Sequence, residues 1–434
     1  MKRLLILAAA LLLPTLPAQA AITPRTITSP QGISALLVED HSNPIIAVEF
    51  AFRGGAASDP ADKAGLSTMV AGLLDEGAGD MDSQTFQGKL EDLAIGISFS
   101  ASQDAFYGHL KTVTTNRDTA VEMMRQALVQ PRFDADAVER IRGQILTSLK
   151  RERQDPDSIA GRAFAKMVYG EHPYARSADG EPDTVKAITA ADLKAYVPAR
   201  LGRDALTVAI VGDVTAEQAQ ALVDALFGGL SAQSQTAPVP DLQPNTQGRV
   251  QVLRHAIPQS VVLFGEDGIK RDDPDWYAAY VMNYILGGGS FSSRLMAEVR
   301  VKRGLAYGIY SYLVPHDHAG LIEGSVGTRN DKVADTLKIL REEWGRLAQG
   351  GVTAQELADA KRYLNGSFPL QMDSTQSIAA LLVTIQMDHL GADYLDRRAA
   401  LIDAVSAADI QRVAKRLLDP AKLDMVIVGD PQGL

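Results

Sequence analysis

Two stretches of this 434-residue chain repeat one another at a fixed separation. Ile188-Thr-Ala-Ala-Asp192, followed by Leu206-Thr-Val-Ala-Ile-Val-Gly-Asp213, returns as Val405-Ser-Ala-Ala-Asp409, followed by Leu423-Asp-Met-Val-Ile-Val-Gly-Asp430. The offset is 217 residues at both Asp192/Asp409 and Gly212/Gly429. A common spacing without a gap marks a duplicated domain, so the chain must fold as two versions of one plan. Each copy ends on a helix whose start carries an acid, then on an apolar strand closed by Gly-Asp. Between the copies, Ser231–Gly248 is polar and proline-bearing, the composition of a linker. The expected halves are therefore residues 21–230 and 249–434, joined by 231–248.

Hydrophobic periodicity fills in both copies. In the first, strands are expected at Ile33 to Glu39, Ile45 to Phe52, Ile95 to Ala101 and Ala105 to Val113. Helices are expected from Lys63 to Asp75, from Ser83 (as its own cap) to Leu93, at Thr119 to Gln130, at Asp134 to Arg153, and from Asp155-Pro156 to about Tyr169. The second copy predicts strands at Val250 to Arg254, Ser260 to Gly265, Tyr307 to Val314 and Gly320 to Val326. Helices follow at Lys332 to Leu347, Thr353 to Asn365, Ser374 to His389 and Ala407 to Leu418. Strands grouped beside strands, then several helices, indicate an α+β sandwich with a largely antiparallel sheet in each half.

The first twenty residues have the form of an export signal. Lys2 and Arg3 precede an apolar run from Leu4 to Leu13, and Ala18-Gln-Ala20 offers a cleavage site. A periplasmic location is expected, because the signal carries no lipobox cysteine. The chain has no cysteine at all, which excludes thiol catalysis and Cys-ligated metal. Its formal net charge of −10 argues against nucleic acid and anionic membrane surfaces as partners.

The most chemically suggestive stretch is Leu286 to Tyr307, LGGGSFSSRLMAEVRVKRGLAY. A hydrophobic helix, Ala278 to Leu286, runs into Gly287, Gly288 and Gly289. Serines 290, 292 and 293 offer cap oxygens to a second helix, Arg294 to Lys302, which Gly304 stops. A strand then begins at Leu305. The turn thus places Arg300 and Tyr307 on two rigid elements, and both side chains donate hydrogen bonds of the kind that hold a carbonyl or an oxyanion.

This segment resembles the C-terminal half of the M16 family (pitrilysin, insulinase, mitochondrial processing peptidase), whose pattern is a glycine-rich turn, SRL, a short helix, then R-x-x-x-G-L-x-Y. Here the pattern falls on Gly287 to Gly289, Ser293-Arg-Leu295, Arg300, Gly304-Leu305 and Tyr307. The resemblance implies two M16 domains and assigns Arg300 and Tyr307 to substrate binding at a zinc site held elsewhere. The family's zinc motif, H-x-x-E-H, would fall on the helix that begins Gly65-Leu-Ser, where Thr68, Ala71 and Gly72 stand instead. Its third ligand, a glutamate, would fall near Thr147-Ser148. None of these side chains supplies the imidazole or carboxylate that zinc hydrolysis needs, so no metal is expected in this chain.

The resemblance also makes the strand around Gly96, Ile97, Ser98, Phe99 and Ser100 an edge that takes a peptide as an added strand, with the glycines 287–289 alongside. An ordinary core strand fits the same residues equally well. His316-Asp-His318 is the closest histidine pair and reads as a solvated turn rather than a chelate. The expected protein is the zinc-free subunit of a two-chain periplasmic peptidase, whose partner is a paralogue carrying H-x-x-E-H and its zinc. The alternative is a noncatalytic peptide-binding or scaffold protein of the same fold.

Overall fold

The computed structural model describes residues 22–434, so the predicted export segment lies outside the described residues. Among them, strands form two sheets. The first contains β1 (Arg25–Thr28), β2 (Ser34–Glu39), β3 (Ile45–Arg53), β4 (Gly96–Ala101), β5 (Ala105–Val113) and β6 (Leu206–Gly212), in the order β1-β2-β6-β3-β5-β4. The second contains β7 (Val250–Arg254), β8 (Gln259–Asp267), β9 (Ala306–Pro315), β10 (Gly320–Arg329) and β11 (Asp424–Gly429), in the order β7-β11-β8-β10-β9. With β1 set aside the two orders coincide. In each sheet a single neighbouring pair is parallel, β2 with β6 and β7 with β11. The internal repeat is thus a topological duplication, and the α+β class with mainly antiparallel sheets is the one observed.

One face of each sheet carries its own half's helices. Phe50, Phe52, Phe106 and Phe227 fill the first core, and Phe264, Trp344 and Met425 sit in the second. The opposite faces are covered by exchange. The Pro156–Tyr169 helix of the first half lays Ala160, Phe164 and Val168 on Leu321, Val426 and Val428 of the second sheet. The Thr375–Met387 helix of the second half lays Ile378, Ala379 and Leu382 on Val38, Ala47 and Val211 of the first. This arrangement explains why β6 and β11 are apolar at nearly every position: both of their faces are buried. Each fully buried Leu, Ile, Val or Phe side chain contributes about 1.5–3 kcal/mol, so neither exchanged helix is an ornament.

Several local expectations need correction. The helix predicted from Lys63 to Asp75 is α-helical over Leu66–Ala71 alone. Gly65 precedes it with φ +95°, outside the helical region, and at the far end Leu73 N donates to Val70 O in a tighter turn. Asp82, not Ser83, caps the next helix, accepting from Thr85 N at 2.9 Å. Strand β1 escapes the periodicity reading because it is short and mostly exposed, and the Tyr394–Asp403 helix because it buries only Tyr394, Arg398 and Ile402. No helix among the described residues is long and apolar enough to cross a membrane.

Candidate functional site

The glycine turn of the second half is built by close approach. Asn283 and Ser311 are buried and joined twice: Ser311 Oγ donates to Asn283 Oδ1 at 2.7 Å, and Asn283 Nδ2 donates to Ser311 O at 3.1 Å. This clamp draws the end of the Trp276–Asn283 helix onto β9. A Cβ on Gly287 would stand 2.4 Å from Ser311 Oγ, so only glycine fits there. Gly287 and Gly289 face the interior, and Gly288 alone among the three is exposed. Packing against β9 and Tyr284 accounts for the first and third without a ligand.

The two helical segments around the turn are wider than an α-helix, a feature the sequence reading did not foresee. Gly289 N donates to Tyr284 O at 2.8 Å and Lys302 N to Ala297 O at 3.0 Å, each an i→i−5 bond. Such π-type turns recur at functional sites. Of the three candidate serines, Ser293 makes the cap, accepting from Met296 N at 3.4 Å, while Ser290 has φ +49° and Ser292 is exposed. Gly304, with φ +60°, ends the segment where its N–H donates to Arg300 O at 2.9 Å.

Arg300 and Tyr307 are brought together by this turn, with a third residue that the sequence reading passed over. The guanidinium carbon of Arg300 lies 4.3 Å from the centre of the Tyr307 ring and 4.6 Å from that of Phe291. Tyr307 is 83% exposed and Phe291 61%. The cation is therefore held between two exposed rings, while its hydrogen-bonding edge has no acceptor among the described residues. Neighbouring charges are otherwise engaged. Lys302 and Arg303 both bind Glu298 at 2.5 Å and hold its carboxyl below the usual range. Arg294 forms a two-pronged pair with Glu356, at 2.7 and 2.9 Å, and drives that carboxyl down to about 2. Arg300 thus remains the cation of this turn with free donors.

Strand β4 is one of the two outer strands of the first sheet and pairs with β5 alone. Gly96, Ser98 and Ser100 are exposed, whereas Ile97 is buried and Phe99 packs on Phe50 and Phe106 at ring separations of 6.4 and 6.2 Å. The five residues singled out from sequence thus form a strand with one anchored face and one open backbone edge. On the second sheet the corresponding edge is β9, on which Tyr307 stands near the first residue.

The positions of the zinc motif do not fit the metal. Thr68 donates its hydroxyl to Ala178 O at 2.8 Å, Ala71 is buried, and a Cβ on Gly72 would lie 3.2 Å from Ile141 Cγ2. Thr147 turns its hydroxyl to Gly143 O at 2.7 Å, and Ser148 to Glu152 Oε1 at 3.2 Å. The local donors are hydroxyls already bonded within the fold, a poor set for zinc. Among the described residues no group of three or more His, Asp or Glu is placed to hold a metal ion.

His316 and His318 lie on the turn between β9 and β10, part-exposed, and each pairs with a carboxylate. His316 Nδ1 meets Asp104 Oδ2 at 3.1 Å with its ring 4.5 Å from that of Tyr174, and His318 Nδ1 meets Asp241 Oδ1 at 3.0 Å. The two histidines diverge to carboxylates from separate segments, and both lie in the joint between the halves. The Tyr174 hydroxyl also donates to Asp104, completing a small network there.

A duplicated α+β chain whose halves exchange helices, with an unpartnered guanidinium at a glycine turn, defines a double sandwich with equivalent outer strands β4 and β9. Residues 34–180 match the family model described as insulinase (peptidase family M16), and residues 187–364 match that described as peptidase M16 inactive domain. The chain is 30% identical over 328 residues to an uncharacterized zinc protease of Streptomyces coelicolor, across 74% of this chain and 71% of that protein. It is 29% identical over 350 residues to the non-peptidase homolog YmxG of Helicobacter pylori, across 80% of each. A crystal structure of a peptidase M16 inactive domain from Pseudomonas fluorescens matches with a TM-score of 0.88 at 28% identity, across 94% of this chain and 98% of that one. The chain belongs to peptidase family M16.

Proposed function

We propose that this chain is the zinc-free subunit of a two-chain periplasmic M16 metallopeptidase, with residues 21–230 and 249–434 as its two domains. The observation that carries this reading is the Arg300 guanidinium, held between Phe291 and Tyr307 with its donors free. A cation fixed by two rings loses little freedom on binding a carbonyl, so its interaction is preorganised. In the assembled enzyme a partner carrying H-x-x-E-H would hold the zinc, which would supply water activation there. Tyr307 donates to the oxyanion of the tetrahedral intermediate, and Arg300 holds a backbone carbonyl of the peptide or shares that oxyanion. Strand β4 takes the peptide along its open edge through Gly96, Ser98 and Ser100. Removing one oxyanion donor of this kind costs about 3 kcal/mol in the transition state.

The test is reconstitution. The purified chain is mixed with an H-x-x-E-H paralogue encoded nearby, and peptide cleavage is followed. Activity that needs both chains, and that falls about 10²-fold with Tyr307→Phe while peptide affinity stays nearly constant, supports the reading. Full activity of the paralogue alone refutes it. The name of the Helicobacter relative, a non-peptidase homolog, supports a second reading as a noncatalytic peptide-binding scaffold. In that case the mixed chains associate, yet the Tyr307→Phe complex turns over at the unmodified rate.

A further inference from the structure

A second arginine, far from the glycine turn in sequence, is buried without a counter-charge. Arg398, on the Tyr394–Asp403 helix, is 6% exposed. Its Nη1 donates to the carbonyl of Leu364 at 3.1 Å, and its guanidinium carbon lies 3.9 Å from the centre of the Phe368 ring and 6.0 Å from that of Tyr280. No carboxylate among the described residues pairs with it. A buried ion without a partner is expensive, because the water it has lost is not replaced by an opposite charge.

This guanidinium lines a cavity of about 170 Å³ between the Trp276–Asn283, Thr375–Met387 and Tyr394–Asp403 helices. Aromatic rings supply much of the wall: Trp276, Tyr277, Tyr280, Phe368 and Tyr394. Arg271 enters from the other side, its guanidinium 4.7 Å from the Trp276 ring, and pairs with Asp388 at 3.3 Å. The lining therefore holds two guanidinium groups and a single carboxylate, which Arg271 takes, leaving a net positive charge in an aromatic box. The volume is that of a single ring, since a cavity of about 150 Å³ takes up benzene.

We infer that this cavity binds a small aromatic monocarboxylate, whose carboxylate pairs with Arg398 and whose ring lies among Trp276, Tyr280 and Phe368. The carboxylate supplies the missing charge and accepts two parallel N–H bonds from the planar fork. The ring displaces weakly held water from the apolar walls. The site is lined by residues of the second half and lies beside the Thr375–Met387 helix, which covers the first sheet.

Benzoate is the probe, titrated into the purified chain by calorimetry, with tryptophan fluorescence reporting on Trp276. One benzoate binds per chain, and benzyl alcohol and acetate each bind at least roughly tenfold more weakly, because one lacks the charge and the other the ring. Arg398→Gln weakens benzoate by a similar factor. Leu381→Trp, which fills the cavity and leaves both arginines in place, does the same, and it carries the test if the Arg398 variant does not fold. A tripeptide ending in phenylalanine, with a free or an amidated C-terminus, distinguishes the source of the carboxylate. Undetectable benzoate binding at millimolar concentration overturns the inference. So does equal binding of benzyl alcohol, an unchanged affinity in Leu381→Trp, or a free-carboxylate peptide that outcompetes benzoate.

Discussion

Arg53 Nη1 donates to Asp317 Oδ2 at 2.8 Å, and this pair joins the last residue of β3 to the turn between β9 and β10. The same guanidinium reaches the Met387 carbonyl and, at 3.0 Å, His389 Nε2, both at the end of the exchanged Thr375–Met387 helix. One side chain of the first half thus holds two separate segments of the second. Arg53→Met keeps much of the aliphatic stem but removes every one of these bonds. Because the group is only partly buried, the expected loss is about 1–2 kcal/mol, read as a lower midpoint in urea. An unchanged midpoint would mean the pair is idle.

Phe291 is the residue of the candidate site that can be tested with least risk to the fold. It is 61% exposed, so Phe291→Ala opens no core cavity and should leave the melting temperature nearly unchanged. It frees one face of Arg300, and the reconstituted complex should bind peptide more weakly by about 1 kcal/mol. Equal peptide affinity in the variant would remove Phe291 from the site.

The segment carrying Thr68, Ala71 and Gly72 should bind no stoichiometric zinc, and elemental analysis of the dialysed chain checks this. Restoring the motif as Thr68→His, Ala71→Glu and Gly72→His should also be costly. The new side chain at 72 must displace Ile141, and overpacking of this kind costs about 1–3 kcal/mol. Denaturant unfolding of Gly72→His alone measures the effect, and a variant as stable as the parent would contradict the packing argument.

Glu266 provides a pH-dependent prediction. Burial pushes its carboxyl up to about 8, although the Trp344 indole N–H and the Asp419 amide both donate to it. The folded state then holds its proton more tightly than the unfolded state does. Stability from this group is present at acid pH, declines as pH rises above the ordinary glutamate value of about 4.5, and is gone above about 8. Glu266→Gln keeps an acceptor for Trp344 and cannot ionise, so its stability should be flatter across that interval. Parallel stability-versus-pH curves for the two proteins would show that Glu266 is not the cause.

The fold class was readable because the duplication and the period-two strands are properties of consecutive residues. The Gly-Asp closures at 212–213 and 429–430 even mark equivalent strands, β6 and β11. The exchange of helices was not readable: Phe164 and Leu382 look like ordinary amphipathic positions, and nothing local says which sheet they cover. At the site, Arg300 and Tyr307 stood out through their order along the chain. Phe291 did not, because its meeting with Arg300 depends on the widened i→i−5 turns, which local propensity does not specify. The carboxylate partners of His316 and His318 were not legible either, for a different reason: Asp104 and Asp241 come from distant segments.

The reciprocal placement of the Pro156–Tyr169 and Thr375–Met387 helices has a consequence for how the molecule comes apart. Isolated at the 231–248 crossing, either half would present a bare apolar sheet face and a stray amphipathic helix, the makings of an aggregate. The intact chain avoids this by keeping the two halves at an effective concentration on the order of millimolar. Melting should accordingly be one calorimetric event, and a nick in the crossing segment should yield fragments that travel together until denaturant separates them.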